Sequence, residues 1–119
     1  MISPHPKTLI EALANPTHKD RELITKAYHF AENAHREQKR NSGEPYFNHV
    51  FATAKNIADL GMPSLLIAAG LLHDVIEDTD VTEKDFEKEF GKELLYIVRG
   101  VTKLGKVKYR GMERSVENL

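Results

Sequence analysis

Within six residues the chain sets out four protonatable side chains, His73-Asp74-Val75-Ile76-Glu77-Asp78. On a helix, residues four apart share a face, so this spacing stacks His73 with Glu77 and Asp74 with Asp78, the two pairs about 100° apart. The preceding run, Leu65 to Leu72, has no polar face for two turns, which puts the cluster at the edge of a buried helix. Carboxylates left unpaired there are costly, and this helix contains no Lys or Arg to partner them. A divalent cation meets that need with imidazole and carboxylate donors. The competing reading is that Glu77 and Asp78 lie past the core and are simply solvated.

Two further residues have chemistry of their own. His49 stands near the start of a helical stretch, where a lone histidine is more often a capping or surface residue than a ligand. Arg40 adjoins a glycine-containing loop, where it is either a solvated charge or a group that holds a phosphate or stacks on a base. With no cysteine in the chain, a disulfide scaffold, a zinc ribbon and a thiol nucleophile are all excluded. Any metal must use histidines and carboxylates.

The elements that carry these residues read as helices. Leu9, Ile10 and Leu13 between prolines suggest a short helix or an ordered arm over residues 1–19. Leu23, Ala27, Phe30, Ala31 and Ala34 recur at helical spacing and predict a helix near 20–37. Asn41-Ser42-Gly43-Glu44-Pro45 combines turn formers with a helix breaker and marks a loop. A second long helix is expected near 49–60 on Val50, Ala54, Ile57 and Ala58, stopped by Gly61, and a third near 64–77 with Pro63 at its start. Thr82 with Asp85 reads as a capping box and Val81 with Phe86 as a hydrophobic staple, opening a helix over 82–90 that Gly91 ends. Leu94, Leu95, Ile97, Val98 and Val101 carry one more, near 92–103, and residues 104–119 form a basic, loop-like tail that begins another helix. No segment alternates as a strand, so the class is all-α.

With 119 residues there is room for one domain. Hydrophobic residues at 40% and charged residues at 29% are those of an ordinary globular chain, excluding disorder and fibrous repeats. A formal net charge of -1 removes the electrostatic reason to expect nucleic acid or an anionic membrane as partner. The apolar run to Leu72 is far short of the ~18–20 residues of a membrane helix, and MISPHPKTL lacks a signal-peptide core. These features predict a soluble, untargeted, cytoplasmic protein.

Three strings carry a resemblance: His35-Arg36-Glu37-Gln38-Lys39-Arg40-Asn41-Ser42-Gly43-Glu44-Pro45-Tyr46-Phe47-Asn48-His49, then Ala68-Ala69-Gly70-Leu71-Leu72-His73-Asp74-Val75-Ile76-Glu77-Asp78-Thr79, then Phe90-Gly91 with Gly100-Val101-Thr102-Lys103-Leu104. In this order they resemble the N-terminal hydrolase domain of the RelA/SpoT family, the enzymes of the bacterial alarmone (p)ppGpp, and more its long bifunctional members than its small stand-alone hydrolases. The resemblance implies an HD-domain helical bundle that binds manganese and removes the 3′-pyrophosphate of (p)ppGpp to give GDP or GTP. By matching position it implies His49, His73 and Asp74 as metal ligands, and Glu77 and Asp78 as the pair that activates the attacking water. It likewise implies Arg40 and Ser42 as nucleotide contacts. Mixed imidazole and carboxylate donors with open positions suit manganese or iron better than a closed zinc site.

The chain departs from the family at three places. Asn41 stands where a basic residue is usual, Val50 stands where proline commonly follows the ligand histidine, and the later motif with an aspartate ligand and a nearby asparagine is absent. The expectation is therefore a C-terminally incomplete domain, covering 1–119, whose partners include the missing domains of a larger enzyme. A second copy of the chain is a further expected partner, covering core that the missing helices would have covered. A short, non-catalytic helical regulator is the alternative; an HD phosphohydrolase for another nucleotide is disfavoured by the full set of strings.

Overall fold

A computed structural model describes residues 3–101 and is helical throughout that range, with one isolated bridge between Lys39 and Pro45 as its single extended pairing among the described residues. Helix α1 spans Pro6–Glu11, α2 His18–Ala34, α3 Tyr46–Asp59, α4 Ser64–Leu72, α5 Val75–Asp78 and α6 Glu83–Phe90. A seventh, α7, covers 92–101 up to the edge of the described residues. The expected continuation to 103 and the basic segment 104–119 lie outside them.

The helix starts follow from their caps. Thr17 and Asp20 form a reciprocal capping box, with Thr17 Oγ1 accepting from the Asp20 amide at 3.1 Å and Asp20 Oδ2 from the Thr17 amide at 2.8 Å, so α2 begins at His18, ahead of the expected start near 20. Asp20 also accepts from the Ser64 hydroxyl at 2.6 Å, fastening the start of α2 to the start of α4. Pro45, at φ -56°, stands at the N-cap of α3, which opens at Tyr46, earlier than the stripe alone indicates. Thr82 Oγ1 accepts from the Asp85 amide at 3.1 Å and starts α6.

The expected continuous helix over 64–77 is instead two. Between Leu72 and Val75 the chain makes a turn at His73 and Asp74, with Asp74 at φ -96°, ψ -4°. The His73 imidazole reaches back to the Gly70 carbonyl at 2.6 Å, giving that oxygen a side-chain donor at the point where the helix opens. Four-residue spacing is kept from Asp74 onward, since the Asp78 amide donates to the Asp74 carbonyl at 2.9 Å.

Helix α4 is the centre of the bundle, packed on α2 and α3, while α1 covers the seam between those two. Ile67, Leu71 and Leu72 are completely buried within the one chain. Small residues on the facing helices, Ala27 and Ala31 of α2 and Ala54 and Ala58 of α3, let the backbones approach closely. Tyr28 meets Phe47 edge-on at 5.0 Å, and Phe30 meets Phe90 at 5.1 Å, bringing α6 onto α2. Arg99 of α7 pairs with Glu83 of α6. No helix among the described residues is long and apolar enough to cross a membrane.

Candidate active site

Two segments meet at the open end of α4: the α2–α3 connection with the first turns of α3, and the α4–α5 turn. The Gly70 carbonyl can only accept, so the Nδ1 facing it at 2.6 Å carries the proton. The opposite nitrogen, Nε2, lies 3.1 Å from Asp74 Oδ2. Both side chains are largely shielded, at 20% and 16% exposure. Burial opposes a charged imidazole here, yet the hydrogen bond and charge of Asp74, the Gly70 carbonyl and the Asp78 charge together raise the His73 pKa. For Asp74, burial works against ionisation, but bonds from His73 and Tyr46 and the charges of His73 and His35 lower its pKa.

Asp74 Oδ2 also accepts from the Tyr46 hydroxyl at 2.7 Å. Burial first, then the bond to Asp74 and the charges of Asp74 and Asp78, hold the Tyr46 hydroxyl well above its ordinary pKa. Tyr46 is therefore a neutral donor at any physiological pH. Its ring neighbours two imidazoles, with centroids 5.1 Å from that of His35 and 5.7 Å from that of His49.

Glu77 and Asp78 are both exposed, at the end of α5. Partial burial and the neighbouring charges of Asp74 and Glu77 raise the Asp78 pKa, as the crowding of carboxylates in the sequence leads one to expect. The main chain of Asp78 is anchored: its carbonyl accepts from Gln38 Nε2, and Gln38 Oε1 faces His35 Nδ1 at 2.8 Å. The Gln38 carbonyl in turn accepts from the Tyr46 amide at 2.9 Å.

Arg40 and Ser42 occupy a closed turn above this network. The Arg40 amide donates to the Glu44 carbonyl and the Gly43 amide to the Arg40 carbonyl, each at 2.8 Å. Gly43 sits at φ +87°, a conformation side chains resist, which explains the glycine. Arg40 and Ser42 are exposed, and the Arg40 charge acts on the Tyr46 hydroxyl, opposing the rise in its pKa.

The structure thus brings His73 and Asp74 together, with Asp78 within electrostatic reach of His73 and Arg40 of Tyr46. His49 is exposed on α3, linked to the pair through Tyr46. Among the described residues no three histidine, aspartate or glutamate side chains are gathered closely enough to hold a metal ion. The chemistry of the His73–Asp74 pair nonetheless fits one. A histidine that gives its Nδ1 proton to a backbone carbonyl presents Nε2 as a donor to a cation. Two donors at right angles about an ion, each ~2.1 Å away, stand about 3 Å apart, close to the separation seen here.

The residue reading gave no role to His35, Gln38 and Tyr46. His35 is 1% exposed, and its Nε2 is buried without a hydrogen-bond partner. The available signal was the α2 stripe: Ala27 and Ala31 continue at four-residue spacing to position 35, which places a histidine on the core face.

An HD domain model matches residues 27–118. A guanosine-3′,5′-bis(diphosphate) 3′-pyrophosphohydrolase of Aquifex aeolicus is 45% identical over 101 residues, 85% of this chain and 14% of that protein. The bifunctional (p)ppGpp synthase/hydrolase SpoT of Escherichia coli is 45% identical over 96 residues, 80% of this chain and 14% of SpoT. A GTP pyrophosphokinase of Streptomyces coelicolor is 48% identical over 86 residues, 72% of this chain and 10% of that enzyme. The chain thus spans about a seventh or less of these curated relatives. The match over most of its helices, together with the assembled His73–Asp74 turn, shows that this chain belongs to the HD domain family, in its RelA/SpoT branch.

Proposed function

We propose that the chain carries part of the site that hydrolyses the 3′-pyrophosphate of (p)ppGpp to GDP or GTP and pyrophosphate, within a larger cytoplasmic enzyme. The observation that supports this most is the His73 imidazole, bonded through Nδ1 to Gly70 and directed through Nε2 to Asp74, in a chain 45% identical to a named 3′-pyrophosphohydrolase. In this reading His49, His73 and Asp74 are cation ligands. His49 is the third donor because its exposed side chain, one turn beyond Tyr46, can change rotamer at little cost. A divalent cation, manganese in our reading, supplies a water of lowered pKa and polarises the phosphoryl oxygen when bound.

The chain's own residues do the rest. Asp78, its pKa raised toward the working range of a general base, takes the water proton with Glu77 beside it. The water oxygen bonds to the phosphorus on the ribose 3′-oxygen, the ribose oxygen–phosphorus bond breaks, the 3′-oxygen takes up a proton to leave as the ribose hydroxyl, and pyrophosphate is released. Arg40 and Ser42, on a turn already closed, hold the guanine nucleotide. A second reading is a short helical regulator or binding module of the same family that does not hydrolyse. Retention of the His-Asp pair favours hydrolysis.

Manganese titration tests the ligand set: wild type should bind the ion and His73→Ala should lose it, and equal binding by both would reject the assignment. With manganese, the chain should release pyrophosphate from ppGpp more slowly than a full-length hydrolase relative, because it spans only a small part of such an enzyme. Turnover matching the full-length enzyme would refute that expectation.

A further inference from the structure

Resting on the metal reading above, we infer that Tyr46 is a positioning residue for the cation-binding groups, setting the Asp74 carboxylate through its hydroxyl. Three observations carry this. The hydroxyl donates to Asp74 Oδ2 at 2.7 Å, on the oxygen that also faces His73 Nε2 at 3.1 Å. Its ring neighbours two imidazoles, His35 at 5.1 Å and His49 at 5.7 Å. Its amide closes the base of the Arg40 turn on the Gln38 carbonyl at 2.9 Å. One side chain in the first turn of α3 is thereby tied to the α4–α5 turn, to the end of α2 and to the nucleotide loop.

The physical consequence is specific to the hydroxyl. A carboxylate on a short side chain has a broad terminal torsion, and without a donor it samples orientations in which Oδ2 no longer faces His73 Nε2. The Tyr46 hydroxyl removes that freedom before any cation arrives. Being half-buried and uncharged, it does so without competing for the ion. Outer-shell partners of ligating carboxylates alter metal affinity by 10–100-fold.

Tyr46→Phe keeps the ring and the amide and deletes only the donor. Tyr28→Phe is the control, a buried tyrosine of α2 whose ring neighbours are His29, Phe47 and Phe51. Manganese affinity is read by electron paramagnetic resonance, which reports the free ion and the line shape of the bound ion without requiring turnover. We expect Tyr46→Phe to weaken binding roughly 10–100-fold and broaden the bound-ion spectrum, with the circular dichroism spectrum intact and Tyr28→Phe binding as wild type does. A purely structural role would lower the melting temperature in both variants and leave affinity and line shape unchanged in both. Affinity unchanged in Tyr46→Phe, while His73→Ala abolishes binding, overturns this inference and leaves the metal reading standing. Equal manganese binding by wild type and His73→Ala overturns the metal reading and this inference with it.

Discussion

Gly70 lies where α4 crosses α3, and adding one carbon there should cost stability through a single identifiable atom. A Cβ built on Gly70 would stand 2.6 Å from Ile57 Cδ1 and 3.4 Å from the Ala54 Cα. Carbon atoms rest at about 3.5–4.0 Å, so roughly 1 Å of overlap with Ile57 must be relieved. Glycine to alanine in a helix interior gains about 1 kcal/mol of propensity. Overpacking costs about 1–3 kcal/mol, so Gly70→Ala should lose up to about 2 kcal/mol net, several degrees of melting temperature in a chain this size. Ile57→Val deletes Cδ1 and little else, at a cost of about 0.5–1.5 kcal/mol. In that background the alanine keeps only ordinary contacts with Ala54, Cα at 3.4 Å and Cβ at 3.8 Å, and Gly70→Ala should become neutral or stabilising. Urea unfolding of the four proteins gives a coupling energy, expected at about 1–3 kcal/mol. Additivity within about 0.5 kcal/mol would mean that the helices are not in contact through this atom and would refute the packing argument.

The His73 pKa is raised from 6.5, so in the metal-free chain its contribution to stability is complete below that value and fades as pH climbs through the elevated one. Melting temperature should therefore fall across that window in wild type and less in His73→Gln; equal slopes would discard the coupling to Asp74. Manganese reverses the preference, because only neutral imidazole binds, so occupancy should drop as pH is lowered through the histidine range, as a titration at several pH values will check. Thr17→Ala removes the capping box of α2 and should cost about 1 kcal/mol in urea unfolding, whereas a change under 0.3 kcal/mol would show the cap is redundant.

The helices were legible because each long one has an apolar stripe and a marked boundary. Ala27 with Ala31 and Val50 with Ala54 face the core as their spacing predicts, and the apolar run is buried from Ile67 to Leu72, with Leu65 and Leu66 half-buried at its start. The break at His73 was not legible, since nothing in Leu72-His73-Asp74-Val75 disfavours helix; it goes with an imidazole reaching the Gly70 carbonyl, a contact decided only by three-dimensional packing. The same holds for the site. His73 and Asp74 stand out by type and position, and the structure pairs them. Tyr46, Gln38 and His35 act through contacts with residues 28 and 40 positions away or through a buried ring, and local periodicity carries no trace of such partners. The exposed His49, Glu77, Arg40 and Ser42 show why a matched motif exceeds what the fold alone indicates: their side chains face solvent, where packing leaves no mark.

The polar network also has a birth order. Every one of its bonds falls between His35 and Asp78, and the longest links of Asp74 and Asp78 reach back 28 and 40 positions. Short loops close quickly and at low entropic cost. A ribosome adding ~5–20 residues per second exposes α2, the Arg40 turn, α3 and α4 in that order, and the histidine–aspartate turn arrives last onto partners already waiting. The His73–Asp74 pair can thus assemble during synthesis, while α6 and α7 are still being made.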